Sequence, residues 1–146
     1  MKISIACDHG AYELKEHLKA YLAQKGHEVT DCGTDSTESC DYPDFGRAAA
    51  QLVGDGTCDK GIVLCTTGIG MSMVANKVKG VRCALCHEPY SVEMTRRHND
   101  ANVLAMGAGM VGKFMAERIV DVFLATEFEG GRHQRRVDKI MEIEQQ

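Results

Sequence analysis

Five short apolar runs, each followed by a segment with helical periodicity, place the tightest constraint on how this chain folds. The runs are Ile3-Ser4-Ile5-Ala6-Cys7, His27 to Cys32, Gly61-Ile62-Val63-Leu64-Cys65, Val81 to Cys86 and Asn102 to Met106. They are mostly continuous in apolar character rather than alternating, as strands buried on both faces must be. Strand and helix in strict alternation call for a parallel sheet with helices packed on either side. The expected fold is therefore α/β: a three-layer α/β/α sandwich around a five-stranded parallel sheet, Rossmann-like in architecture.

Between the runs, Ala11, Leu14, Leu18, Tyr21 and Leu22 share one helical face, and Gly26 stops that helix. Further helices are expected over 46–53, from Gly70 to near 79–80, over 89–97, over 110–126, and from Gly131 to the C-terminus. The stretch 33–45, rich in Asp, Ser and Thr, is expected to be irregular. No repeat or linker composition interrupts the 146 residues, so a single domain spanning 1–146 is expected. A chain of this length buries roughly 68–70% of its extended surface, enough for a core without disulfides or a structural metal.

Composition narrows the function classes. A net charge of -4, 5% aromatic residues and no Trp argue against nucleic-acid binding. No apolar run approaches a membrane span, and the amino terminus lacks a secretory pattern, so membrane and secreted readings are excluded and a cytoplasmic location is expected. Seven cysteines without such a signal point to reduced thiols.

In parallel α/β sheets ligands bind outside the carboxyl ends of the strands. The first such end carries Asp8-His9-Gly10, where Asp8 can serve as a helix N-cap. The third carries Cys65-Thr66-Thr67-Gly68-Ile69-Gly70. Its glycines let the backbone approach a ligand, and the following helix start supplies free N–H groups and a positive potential that favours a thiolate. Packing as a small hydrophobe is the competing role for Cys65.

Three other motifs carry less. Gly107-Ala108-Gly109-Met110-Val111-Gly112 matches G-x-G-x-x-G, but no further strand with an acid follows, so dinucleotide binding is not expected. Cys83 and Cys86 lie three apart in a strand and face opposite ways, which makes both a metal and a redox pair weak readings, and no other cluster shows metal spacing. The final helix begins with Arg132, His133, Arg135, Arg136 and Lys139, inverted with respect to its dipole. A bound phosphate would offset that repulsion, and Arg132 and Arg136 share a face. His98 lies in a helix-to-strand loop, at the amino end of the sheet, and should not reach Cys65 of its own chain.

Taken together, Cys-Asp-His-Gly, Asp-Tyr-Pro-Asp, Cys-Thr-Thr-Gly-Ile-Gly-Met-Ser, Ala-Asn-Lys, Glu-Pro-Tyr-Ser, Arg-His-Asn-Asp-Ala-Asn-Val-Leu and Glu-Gly-Gly-Arg-His-Gln-Arg-Arg-Val, in this order along essentially the whole chain, resemble the type B ribose-5-phosphate isomerase family, which includes galactose- and allose-6-phosphate isomerases. The resemblance implies a pentose-phosphate-pathway isomerase that interconverts ribose 5-phosphate and ribulose 5-phosphate through an enediol, with no metal or other cofactor. It further implies a homodimer, or a tetramer, whose sites are shared between subunits. It makes Cys65 the base that moves the proton between C2 and C1, His98 the acid–base group for ring opening, and Thr67 with the amides of Gly68, Ile69 and Gly70 the enediolate donors. Asp8, His9, Tyr42, Thr66 and Asn99 would contact the sugar phosphate, and Arg132 and Arg136, in a C-terminal helix over 131–146, would complete the phosphate site. The chain departs from the family pattern at Gly109, where many relatives carry Arg, and at Thr66, where a close pattern has Gly. The rival functions are isomerisation of a hexose 6-phosphate, with Gly109 leaving extra room, and non-catalytic sugar-phosphate binding on the same scaffold.

Overall fold

The apolar runs become strands β1 (Lys2–Cys7), β2 (Glu28–Asp31), β3 (Lys60–Cys65), β4 (Cys83–Leu85) and β5 (Val103–Gly107). In the computed structural model, which describes residues 1–146, they form one sheet in the order β2-β1-β3-β5-β4. Every pairing is parallel, as expected from the sequence. The helices are α1 (Tyr12–Gln24), α2 (Tyr42–Gly54), α3 (Ile69–Ala75), α4 (Pro89–Met94), α5 (Lys113–Ala125) and α6 (Arg132–Glu142).

Alternate strand residues feed two separate cores, one on each face. Ile3, Ile5, Ile62, Leu64, Leu104 and Met106 meet Leu14, Leu18 and Leu22 of α1 and Ile119 and Phe123 of α5. On the other face Ala6, Val63, Val103 and Ala105 meet Ala49, Ala50 and Val53 of α2 and Met71 and Ala75 of α3. Each fully buried Leu, Ile, Val, Met or Phe stabilises the fold by about 1.5–3 kcal/mol, so the two cores dominate over any single polar contact. Cys86 belongs to the first core and Cys83 packs against the second, so the two thiols are separated by the sheet.

The element boundaries differ from expectation where a side chain competes with the backbone. Helix α2 begins at Tyr42 rather than 46, because Pro43 sits in its first turn, where a missing N–H leaves nothing unpaired. Helix α3 stops at Ala75, four residues short, because Asn76 turns to the backbone of β4. Its amide donates to the carbonyls of Ser72 and Cys83 (3.0 Å each) and its oxygen accepts the Cys83 N–H (2.8 Å). The fourth helix changes winding: after Met94 it continues as a π-helical turn over Thr95–Asn99. Strand order reverses direction between β1 and β3, and at such a switch point the carboxyl strand ends open a crevice.

Candidate active site

At that switch point the Asp8 N–H reaches across from the end of β1 to the Leu64 carbonyl of β3 (3.2 Å). Asp8, Tyr42, Cys65, Thr66, Thr67, Ile69 and Gly70 line one cavity of about 410 Å³ there. Both roles open to Asp8 are met together: its Oδ1 caps the first turn by accepting the Gly10 N–H (3.0 Å), and the residue borders the cavity while only 7% exposed. Tyr42 packs against the glycine loop, and a Cβ on Gly70 would come within 2.6 Å of its ring. Only glycine at 70 lets ring and loop close on each other.

Cys65 ends β3 and is 6% exposed, and its Sγ accepts the main-chain N–H of Gly68 (3.1 Å). Gly68 has φ 77, a left-handed conformation that turns its amide back onto the sulfur. That main-chain donor fixes the direction in which the sulfur faces the loop. Burial pushes the Cys7 thiol up to about 12, Cys83 to about 12 and Cys86 to about 11, and it also raises Cys32 and Cys58. These five stay protonated near neutral pH and cannot serve as bases.

The resemblance offered three loop amides as oxyanion donors. Two already have partners: Gly68 N–H on Cys65 Sγ, and Ile69 N–H on the Thr67 hydroxyl (3.3 Å). The Gly70 N–H, at the start of α3, remains available to a ligand. Thr66, the departure from the family pattern, fills the space beside Gly109. A Cβ at Gly109 would lie 3.0 Å from the Thr66 carbonyl and 3.3 Å from its methyl, so the extra room expected at Gly109 is already occupied.

His98, Asn99, Arg132 and Arg136 form a second group. His98 and Asn99 lie on the π-helical turn that leads to the amino end of β5, where Val103 pairs with Gly61, whereas Cys65 pairs with Gly107 at the other end. Four strand steps of about 3.3 Å separate the two levels, roughly 13 Å. Within one chain the structure therefore does not bring His98 to Cys65, in line with the placement read from the sequence. His98 instead stacks on His133 of α6, with ring centroids 4.2 Å apart and an 11° interplanar angle. Glu129 Oε1 lies 3.7 Å from His98 Nε2 and 3.8 Å from His133 Nε2. Loss of solvent, with the neighbouring His98 and Arg132, pushes the His133 imidazole down. The turn is held by Asp100 in a left-handed conformation (φ 48). Arg96 Nη1 donates to Asp100 Oδ1 (2.8 Å) and to the Ala101 carbonyl (2.6 Å), and Arg82 Nη2 donates to the Asp100 carbonyl (2.8 Å).

Sequence spacing gave no metal cluster, yet the fold draws His98, Glu129 and His133 together, their ligand atoms within 4.8 Å of one another. Arg132 and Arg136 beside them oppose a cation there. The residues supporting the site were also missed: Arg82 and Glu129 lie far from Asp100 in sequence, and Arg96, four residues before Asp100, sits in a charge pattern common on solvated helix faces. His9 was placed correctly at the end of β1, but it opens into a different cavity from Cys65. Its Nδ1 accepts the Cys40 N–H (3.2 Å), which leaves Nε2 as the donor.

The G-x-G-x-x-G turn proves structural. A Cβ on Gly107 would come within 2.7 Å of the Thr67 backbone, so this glycine lets β5 pass under the Cys65 loop. No sixth strand follows α5, and the dinucleotide unit is not formed. No helix is long and apolar enough to cross a membrane.

Comparison with known proteins agrees with this geometry. A family model described as Ribose/Galactose Isomerase matches residues 3–140. The chain is 48% identical to ribose-5-phosphate isomerase B of Escherichia coli, over 99% of this chain and 97% of that protein. The structure of Clostridium thermocellum ribose-5-phosphate isomerase B superposes with a TM-score of 0.97 at 53% identity, covering 99% of this chain and 98% of that one. That of Mycoplasma genitalium ribose-5-phosphate isomerase B with bound ribulose-5-phosphate gives a TM-score of 0.96 at 41% identity, covering 99% and 97%.

Proposed function

The chain belongs to the ribose/galactose isomerase family, and on that premise we propose that it interconverts ribose 5-phosphate and ribulose 5-phosphate at the β1–β3 switch point. The observation that carries this reading is the Cys65 sulfur, held at the floor of the strand-end cavity by the Gly68 N–H.

A hydrogen on carbon next to a carbonyl is weakly acidic, so its removal needs a positioned base and a stabilised enediolate. The Cys65 thiolate takes the C2 proton of the open-chain aldose, and the electron pair moves through the new C1–C2 double bond onto O1. Gly70 N–H and the Thr67 hydroxyl stabilise the negative charge as it develops on the oxygens. A proton passes from O2 to O1, the carbonyl re-forms at C2, and the thiol returns its proton to C1. Asp8 and Tyr42 flank the sugar.

Ribose 5-phosphate is a ring in solution, and ring opening requires a second acid–base group. His98 suits that role, but it stands at the wrong end of its own sheet. The reading therefore includes a homodimer in which the π-helical turn and α6 of one subunit complete the other subunit's cavity, bringing His98, Asn99, Arg132 and Arg136 to the sugar phosphate. Two arginines on one helix face match the charge and the oxygens of a phosphate.

A coupled assay over pentose and hexose phosphates, run on the native chain and on Cys65→Ala, tests this function. The native chain should favour ribose 5-phosphate, with Thr66 filling the space a larger sugar would need. Cys65→Ala should lower turnover by about 10²–10⁴-fold, the usual effect of removing a positioned proton-transfer group. Near-native turnover in the variant would remove Cys65 from the mechanism.

A further inference from the structure

The cavity over Cys65, of about 410 Å³, has a neighbour of about 490 Å³ bordered by His9, Gly10, Ala108 and Val111, and the two share no lining residue. Thr66 borders the first cavity and Gly10 the second, and the two residues are in contact: a Cβ on Gly10 would collide with the Thr66 hydroxyl. On its other side the Thr66 methyl lies 3.3 Å from where a Cβ on Gly109 would stand. The Thr66 side chain thus fills a gap between two residues that have no side chain of their own.

This wall does not give. The Thr66 carbonyl accepts the Gly109 N–H (2.9 Å) and the Cys65 carbonyl accepts the Ala108 N–H (2.8 Å), which ties the main chain of the loop to the turn after β5. A β-branched side chain has little freedom about χ1. With main chain against both its hydroxyl and its methyl, Thr66 cannot swing aside.

We infer that Thr66 sets the length of sugar phosphate that the site accepts, and that its bulk excludes a six-carbon substrate. The inference rests on the isomerase reading above and deepens it. On that reading a substrate is pinned at both ends, its C1–C2 pair over Cys65 and its phosphate on the arginines of the partner's α6. An added carbon then has to bulge sideways from the span between them, and Thr66 stands where the cavity would have to widen. Its side chain holds a CHOH unit and a methyl, at least the bulk of the single CHOH by which a hexose phosphate is longer. Because both flanking residues are glycines, taking this side chain away leaves no other side chain in the gap, and the space behind it becomes available.

The test compares ribose 5-phosphate with allose 6-phosphate, which extends the same all-cis chain by one CHOH. Native protein, Thr66→Gly, Thr66→Ala and Thr66→Val are assayed on both, and calorimetry measures their binding of ribitol 5-phosphate and allitol 6-phosphate, which cannot turn over. Discrimination by a group of this size is about 10–200-fold, so Thr66→Gly should raise the hexose-to-pentose ratio of kcat/KM at least about tenfold, with Thr66→Ala in the same direction. The ratio of alditol phosphate affinities should shift likewise. Thr66→Val keeps the branched shape without the hydroxyl, and its ratio should stay within about twofold of native. An unchanged ratio in Thr66→Gly and Thr66→Ala would overturn the inference, as would a Thr66→Val ratio equal to that of Thr66→Gly, which would trace the preference to the hydroxyl instead of the bulk. Failure of the native chain to isomerise ribose 5-phosphate would overturn the isomerase reading, and the alditol phosphate affinities would still decide on Thr66.

Discussion

At the scale of single residues, the contrast among the thiols is the most informative feature. Cys65 is as buried as Cys86, yet only Cys65 has a main-chain N–H aimed at its sulfur. Alkylation with iodoacetamide near pH 8, read by peptide mass spectrometry, should therefore modify Cys65 and the half-buried Cys40 well before Cys7, Cys83 and Cys86; equal labelling of all would contradict the assignment. The same raised thiols link stability to pH. Cys7, Cys83 and Cys86 are held up at about 12, 12 and 11 in the folded chain against about 9 when unfolded. Between pH 9 and 12 the unfolded chain holds fewer protons than the folded one. The stability these thiols contribute is thus complete below about pH 9 and is lost as pH rises through that window. Urea midpoints measured from pH 8 to 11 should fall steadily, and replacing Cys83 with Ala should flatten the decline. The position of Cys65 at a strand-end cavity could be anticipated because it depends on local geometry, a strand end followed by glycines. The partner of His9 could not, because the Cys40 N–H comes from a loop 31 residues away.

At the scale of elements, the alternation of apolar runs and amphipathic segments was enough to read the five strands, their parallel sense and the helical layers. Periodicity says nothing about competition between side chain and backbone, and that is where the boundaries moved, at Pro43 and Asn76. It was equally blind to the π-helical turn, where one local and one long-range arginine meet the same aspartate. Arg96 and Arg82 converge on Asp100, which is left-handed at the end of the turn that carries His98. Asp100→Ala removes both ion pairs, leaves the buried Arg96 partly unpaired and puts a side chain without local hydrogen bonds into a strained conformation. It should destabilise the fold by about 2–3 kcal/mol in denaturant titration. It should also lower turnover on ribose 5-phosphate in both directions, because the turn carries His98, the ring-opening group of the proposed mechanism. Unchanged turnover would separate the turn from ring opening.

At the scale of the whole molecule, the sheet places Cys65 and His98 at levels roughly 13 Å apart along the strands. The sequence carries the residues of both groups; the proposed dimer would unite them, and a contact between copies leaves no periodic trace along one chain. Subunit complementation tests it directly. Cys65→Ala and His98→Asn homodimers should each be nearly inactive. When the two variants are unfolded together and refolded, half of the dimers are mixed, and each mixed dimer has one site carrying both native residues. About a quarter of native activity should return for a two-fold symmetric dimer; no recovery would mean that each site is built within one chain. The proposed shared site also has a consequence for how output scales with supply. An enzyme whose proton-transfer groups are divided between copies stays silent until copies meet, so at low abundance its flux grows with the square of expression rather than in proportion to it. Dilution alone then switches such a protein off, with no inhibitor and no change in any single chain.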